Sequence, residues 1–143
     1  MEREKLSGLQ VMNNIVDEKT PHFPITNIVP MKFIEVGEGF GKISTIAYEQ
    51  FTGPMGKVHG GFTSTILDSC MGGALRTMLK YNENFNTIDL NVKFLKVVPC
   101  NKELIAESRV IHLSKRLGMC EGTLKDTENI LYAHATATFM IDR

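Results

Sequence analysis

A chain of 143 residues can bury about two-thirds of its unfolded surface, which suits one self-sufficient domain. Lys+Arg and Asp+Glu are equal at 16 each, and no long run of one sign occurs. That balance excludes the broad basic face needed for nucleic acid or anionic membrane, and it permits self-association. The three cysteines, Cys70, Cys100 and Cys120, are far apart and form no Cys-x-x-Cys pair, which fits a reducing compartment. Met1 to Lys5 is charged and lacks the apolar core of a signal peptide, and no apolar run approaches the ~18–20 residues of a membrane span. The expectation is a cytoplasmic protein with no membrane partner.

Residues 3–17 space Leu6, Leu9, Val11, Met12, Ile15 and Val16 as an amphipathic helix. Pro21, Pro24 and Pro30 then make an extended connector. Met31–Val36 and Lys42–Tyr48 read as strands, joined by a turn at Gly37–Gly41. The G-x-G-x-G spacing of that turn is not a dinucleotide fingerprint, and it precedes a strand rather than a helix. A loop over 49–58 leads into a long apolar helix from His59 to Lys80, followed by a polar linker over Asn82–Asn86. Thr87–Phe94 alternates with period two, as a half-buried strand does. Strands at Glu103–Leu113, Gly118–Lys125 and Ile130–Ile141 follow, with turns at Pro99–Lys102 and Asp126–Asn129. Runs of strands with short turns predict an α+β fold, an antiparallel sheet with the long helix on one face. Ala133, Ala135 and Ala137 on the last strand, and Ser64, Gly72, Gly73 and Ala74 on the helix, are small enough for close wrapping.

The chemistry gathers at the start of the long helix. Four amides are free at any helix N-terminus, with roughly half a positive charge. His59-Gly60-Gly61 is therefore either a tight turn into the helix or an oxyanion site. Asp68 sits amid Ile66, Leu67, Cys70 and Met71. It is either a buried acid, with a raised pKa and a role as base or nucleophile, or a solvated group on a polar stripe. Gly60 and Asp68 are eight residues apart, ~12 Å along a helix. Both must lie ~3 Å from a reacting carbonyl to act on it, so they cannot meet within one helix. Two antiparallel copies across a two-fold axis would bring Gly60 of one to Asp68 of the other.

The string Gly56-Lys57-Val58-His59-Gly60-Gly61, then Leu67-Asp68 and Thr87-Ile88-Asp89-Leu90-Asn91, resembles the hotdog-fold thioesterases, in particular their phenylacetic-acid-degradation (PaaI-type) branch. The resemblance covers about residues 25–141. It implies one hotdog domain over 1–143, with residues 1–24 as an added N-terminal helix and connector. It implies hydrolysis of acyl-CoA thioesters by homodimers or tetramers built as dimers of dimers, with no metal and no cofactor beyond the coenzyme A of the substrate. Gly60 would donate its amide to the thioester carbonyl, with Gly61 beside it at the substrate. Asp68 of the partner would act as base or nucleophile, Thr87 would hold the water, and His59 would support the loop. Where the family carries Asn or Gln six residues before the histidine, this chain has Gly53. One polar contact to the substrate is then missing unless Gln50 or Thr52 supplies it. Lys115 and Arg116, in the turn after His112, either contact CoA phosphates or form an ordinary solvated turn.

The Gly53 departure keeps a second reading open, a non-catalytic protein that binds acyl-CoA or an aromatic ligand. A hotdog dehydratase is a third. His22-Phe23-Pro24 is similar to a dehydratase motif, but it lies far upstream of the central helix. The histidines and cysteines have no metal-ligand spacing. His134 falls on an ordinary strand face, no Gly-x-Ser-x-Gly elbow marks Ser64 or Ser69 as a nucleophile, and Met71 and Met78 read as core filler.

Overall fold

The computed structural model describes residues 5–143. Helix α1 runs over Gly8–Val16, not 3–17; residues 3 and 4 lie outside the described residues. Its start is set by a capping box, in which the Gln10 amide donates to Ser7 Oγ at 3.2 Å and the Ser7 amide donates to Gln10 Oε1 at 2.8 Å. Met12 and Ile15 are its buried stripe.

Six strands follow: β1 (Met31–Gly37), β2 (Phe40–Ile46), β3 (Asn84–Phe94), β4 (Glu103–Leu113), β5 (Leu117–Asp126) and β6 (Leu131–Asp142). They form one antiparallel sheet in the order β1-β2-β4-β5-β6-β3. Helix α2 (Gly60–Arg76) lies against one face, chiefly over β2, β4 and β5. Phe33, Ile43, Leu104, Ala106, Cys120 and Leu124 pack beneath it, each almost fully buried. The other face carries charge in cross-strand pairs, such as Lys42 with Glu107 and Arg109 with Glu121.

Several boundaries differ from the sequence reading. The β1–β2 turn is shorter than Gly37–Gly41, because Gly37 pairs directly with Phe40 and Gly39 alone takes a positive φ of 71°. Helix α2 stops at Arg76 rather than Lys80. Thr77 pins its end: its hydroxyl donates to the Ala74 carbonyl at 2.6 Å and accepts the Gly39 amide at 2.8 Å. Strand β3 begins at Asn84, inside the expected linker, because Asn84–Asn86 pair with Met140–Asp142 of β6.

Two of the small residues on α2 meet aromatic rings rather than the alanines of β6. Gly72 makes room for the Phe85 and Phe139 rings, and Gly73 for Phe33 of β1. A methyl at Gly73 would stand 2.3 Å from Phe33 Cζ and 3.2 Å from Met12 Cε. Gly73→Ala gains about 1 kcal/mol of helix propensity and loses more to overpacking. The expected outcome is a net loss of ~1–2 kcal/mol by denaturant titration; an unchanged midpoint refutes the close fit.

His22 is a structural residue, and its Nε2 accepts the Phe33 amide at 3.2 Å. That bond needs a neutral ring. Burial, then the nearby Lys32, lower its pKa below the usual 6.5, against a smaller opposing pull from Glu18. A folded pKa below the unfolded one gives stability that is complete above about pH 6.5 and is lost as pH falls through the folded value. The stability difference between wild type and His22→Gln should therefore shrink as pH falls below 6.5. A difference that stays constant from pH 7 to 5 refutes this.

Candidate active site

The loop before α2 is built to place His59. A one-turn 3-10 helix over Glu49–Phe51 and a bridge between Thr52 and Val58 close it. The Gly53 amide donates to the Lys57 carbonyl at 2.7 Å, and the His59 amide to the Phe51 carbonyl at 2.8 Å. His59 is thereby held extended, at φ −67° and ψ 136°, as the N-cap of α2.

Its ring then decides which amide stays free. His59 Nδ1 accepts the Gly61 amide at 2.8 Å, and the His59 carbonyl accepts the Phe62 amide at 3.0 Å. Among the described residues no acceptor meets the Gly60 N–H. One donor at the positive end of the macrodipole is therefore left for a ligand. A Cβ on Gly61 would lie 2.8 Å from His59 Nδ1, and one on Gly60 would lie 3.2 Å from the Phe94 ring. Gly61 needs glycine for the close approach of the His59 ring, whereas at Gly60 only the exposed Phe94 ring would have to give.

Asp68 lies two turns further along the same helix and is half-buried, so it is neither the fully buried acid nor the solvated group of the sequence reading. Its Oδ1 accepts the Thr87 hydroxyl at 2.9 Å. Thr87 faces the helix because it pairs with the buried Phe139, and an irregularity between Thr87 and Asp89 resets the strand so that Leu90 pairs with Ala137. The structure thus joins Asp68 to Thr87, and His59 to Gly60 and Gly61, as two separate groups. Eight residues of helix, ~12 Å, hold them apart.

Between them runs an open flank. Strand β3 is one edge of the sheet, and its outer side is unpaired among the described residues. Ile88, Leu90 and Phe94 are 53, 37 and 56 % exposed there. A cleft of about 400 Å³ opens beside the start of α2, lined by Lys57, Gly60, Thr63, Phe94, Lys96 and Val98 among others.

Other expected contributors are placed differently. Lys115 and Arg116 are exposed in the β4–β5 turn, beside Gly118, which packs on Leu75 at the far end of α2. They do not reach Gly60 of their own chain, whose cleft is lined by Lys57 and Lys96 instead. Gly53 has room for a side chain, its nearest neighbours standing 3.8 Å away or more from an added Cβ. Thr52 does not replace the missing polar group, because its hydroxyl donates to the Glu49 carbonyl at 2.8 Å. Gln50 is exposed and lines the neighbouring groove with His59.

Several other reactive groups are committed elsewhere. Ser64 and Thr65 donate to the Gly60 and Gly61 carbonyls at 2.9 and 2.8 Å. Burial pushes the Cys70 and Cys120 thiols up to about 12, which removes them as nucleophiles. Asp126 is buried; burial alone would raise it, but donors from Ile130, Tyr132, Lys102 and Glu128 hold its carboxyl well below the usual range. His134 sits on the charged outer face, 3.5 Å from Glu121.

Sequence reading missed Thr63, Phe94, Lys57 and Lys96 as members of this site. Phe94 carried a signal, as the last apolar residue of an alternating strand. Thr63 carried one only as part of the Thr63-Ser64-Thr65 run.

Residues 55–133 match the family model described as the thioesterase superfamily. A protein of Halobacterium salinarum named as an esterase is 38 % identical over 68 residues, spanning 46 % of this chain and 44 % of the relative. The chain thus aligns with less than half of that relative's length. Among solved structures, the PaaI protein of the E. coli phenylacetic acid degradation operon superposes with TM-score 0.83 at 14 % identity, over 96 % of this chain and 97 % of that one. A thioesterase protein from Streptococcus pneumoniae, solved with coenzyme A, gives TM-score 0.73 at 16 % identity over 78 and 85 % of the two chains. These likenesses establish the hotdog arrangement of sheet and helix.

Proposed function

We propose that this chain, which belongs to the thioesterase superfamily, hydrolyses acyl-CoA thioesters to the free acid and coenzyme A at a site shared by two subunits. The observation that carries this reading is the free Gly60 amide at the capped start of α2, with Asp68 fixed two turns away on the same helix. The coenzyme A in the similar Streptococcus pneumoniae structure supports the substrate class. Asp68 and Gly60 act together when two α2 helices lie antiparallel, and the unpaired edge of β3 with its exposed Ile88 and Leu90 is the surface that joins the copies.

In this arrangement the Gly60 N–H of one subunit polarises the thioester carbonyl and stabilises the oxyanion. Asp68 of the partner subunit takes a proton from water as the oxygen attacks the carbonyl carbon. The Thr87 hydroxyl, bonded to Oδ1, steers the other carboxylate oxygen toward that water. Collapse of the tetrahedral intermediate breaks the C–S bond, and the proton returns from Asp68 to the thiolate. His59 orients the donor by capping Gly61. The turn that carries Lys115 and Arg116 contributes to the CoA phosphates from the partner subunit. The reading calls on no metal or resident cofactor.

Thiol release from a panel of acyl-CoAs tests the reading. Release from at least one of them supports it, and binding without release favours the alternative of a non-catalytic acyl-CoA binder, the reading that Gly53 motivates. The shared site has its own test, because a monomer by light scattering at assay concentration refutes it.

A further inference from the structure

Three consecutive hydroxyls open α2, and they behave differently. Ser64 and Thr65 turn back onto the carbonyls four residues earlier, the usual resting place for a helical hydroxyl. Thr63 does not. Its side chain is 1 % exposed, and its Oγ1 has no hydrogen-bond partner among the described residues. An orphaned buried hydroxyl is costly, and native proteins keep one where something else completes it. Thr63 lines the same cleft as Gly60, beside Phe94 and Val98. It stands three residues along the helix from the free amide, ~4.5 Å in axial rise.

We propose that Thr63 is a specificity-determining residue that hydrogen-bonds a polar substituent on the acyl chain, so that the preferred substrates are hydroxyl- or keto-substituted acyl-CoAs. The inference rests on the thioesterase reading and deepens it. With the thioester oxygen on the Gly60 amide, the acyl chain enters the cleft and passes Thr63 a few carbons from the carbonyl. Val98, 6 % exposed, and Phe94 supply apolar walls around one buried hydroxyl. Such a wall with a single buried donor rewards a ligand that completes it and penalises one that leaves it unpaired.

The test compares wild type with Thr63→Val, which keeps the shape and removes the hydroxyl. Octanoyl-CoA is set against octanoyl-CoAs hydroxylated at carbon 3, 4 or 5. Wild type should favour at least one hydroxylated isomer in kcat/KM by about 3- to 10-fold, and the variant should lose that preference. An unchanged preference in the variant, or no preference in wild type, overturns the proposal. Binding of the matching S-alkyl-CoA thioethers, measured by calorimetry, separates the two layers. If no thioester is cleaved but the hydroxylated thioethers bind more tightly through Thr63, the hydrolase reading falls and the Thr63 contact stands; equal binding by both proteins overturns the contact. A melting temperature raised by roughly 2–4 °C in ligand-free Thr63→Val is the accompanying sign of an orphaned hydroxyl, and a drop there means the hydroxyl is already paired and refutes it.

Discussion

Asp68→Asn is expected to lower kcat on acyl-CoA by ~10²- to 10⁴-fold, the range for loss of a positioned base, with little change in KM. The substitution is close to isosteric. Its amide oxygen can still accept the Thr87 hydroxyl that now meets Asp68 Oδ1 at 2.9 Å, so the contact between helix and edge strand survives. Fold and assembly should be unchanged by circular dichroism and light scattering. What goes is the capacity to take a proton from water. A variant within threefold of wild type means that Asp68 is not the base.

The second large effect belongs to an amide rather than a side chain, and proline can remove it. Gly60 is the first residue of α2, where proline is favoured because its missing N–H would have had no helical partner. The preceding residue must be extended for a proline to follow, and His59 already is, at ψ 136°. The new ring would meet Phe94, whose nearest atom is 3.2 Å from a Cβ at this position. Phe94 is 56 % exposed and can swing aside. Gly60→Pro should therefore fold with α2 intact and lose ~10²- to 10³-fold in kcat, the effect of deleting one oxyanion donor. Full activity in a folded variant would place the oxyanion elsewhere. The two variants also test each other. Each is inactive alone, but a mixture that exchanges subunits contains heterodimers in which one site keeps both groups. Recovery of activity on mixing supports a shared site, and its absence after proven exchange refutes one.

The parts of this protein governed by local rules were legible in the sequence. The period of Thr87–Phe94, the proline connector and the long apolar run after His59 placed β3, the link after α1 and α2. The eight-residue gap between Gly60 and Asp68 followed from helix geometry alone. What was not legible depended on partners distant in the chain. The end of α2 is set by Thr77 meeting Gly39, 38 residues away. The partners of Gly72 and Gly73 are phenylalanines on β1, β3 and β6, where pattern suggested alanines, because residue size says how near a neighbour comes and not which neighbour it is. In the site, no spacing rule distinguishes Thr63 from Ser64 and Thr65. The difference lies in where the hydroxyl points, and only the packed structure sets that.

One rigid helix carries both halves of the proposed chemistry, and this governs how a defective copy behaves among good ones. A subunit lacking only the Asp68 carboxylate spoils one of the two sites in a mixed pair, so activity should fall in proportion to its share of the pool. A subunit carrying both Asp68→Asn and Gly60→Pro spoils both. Activity should then fall with the square of the wild-type fraction, and a chain that is merely inactive alone becomes a poison to its neighbours.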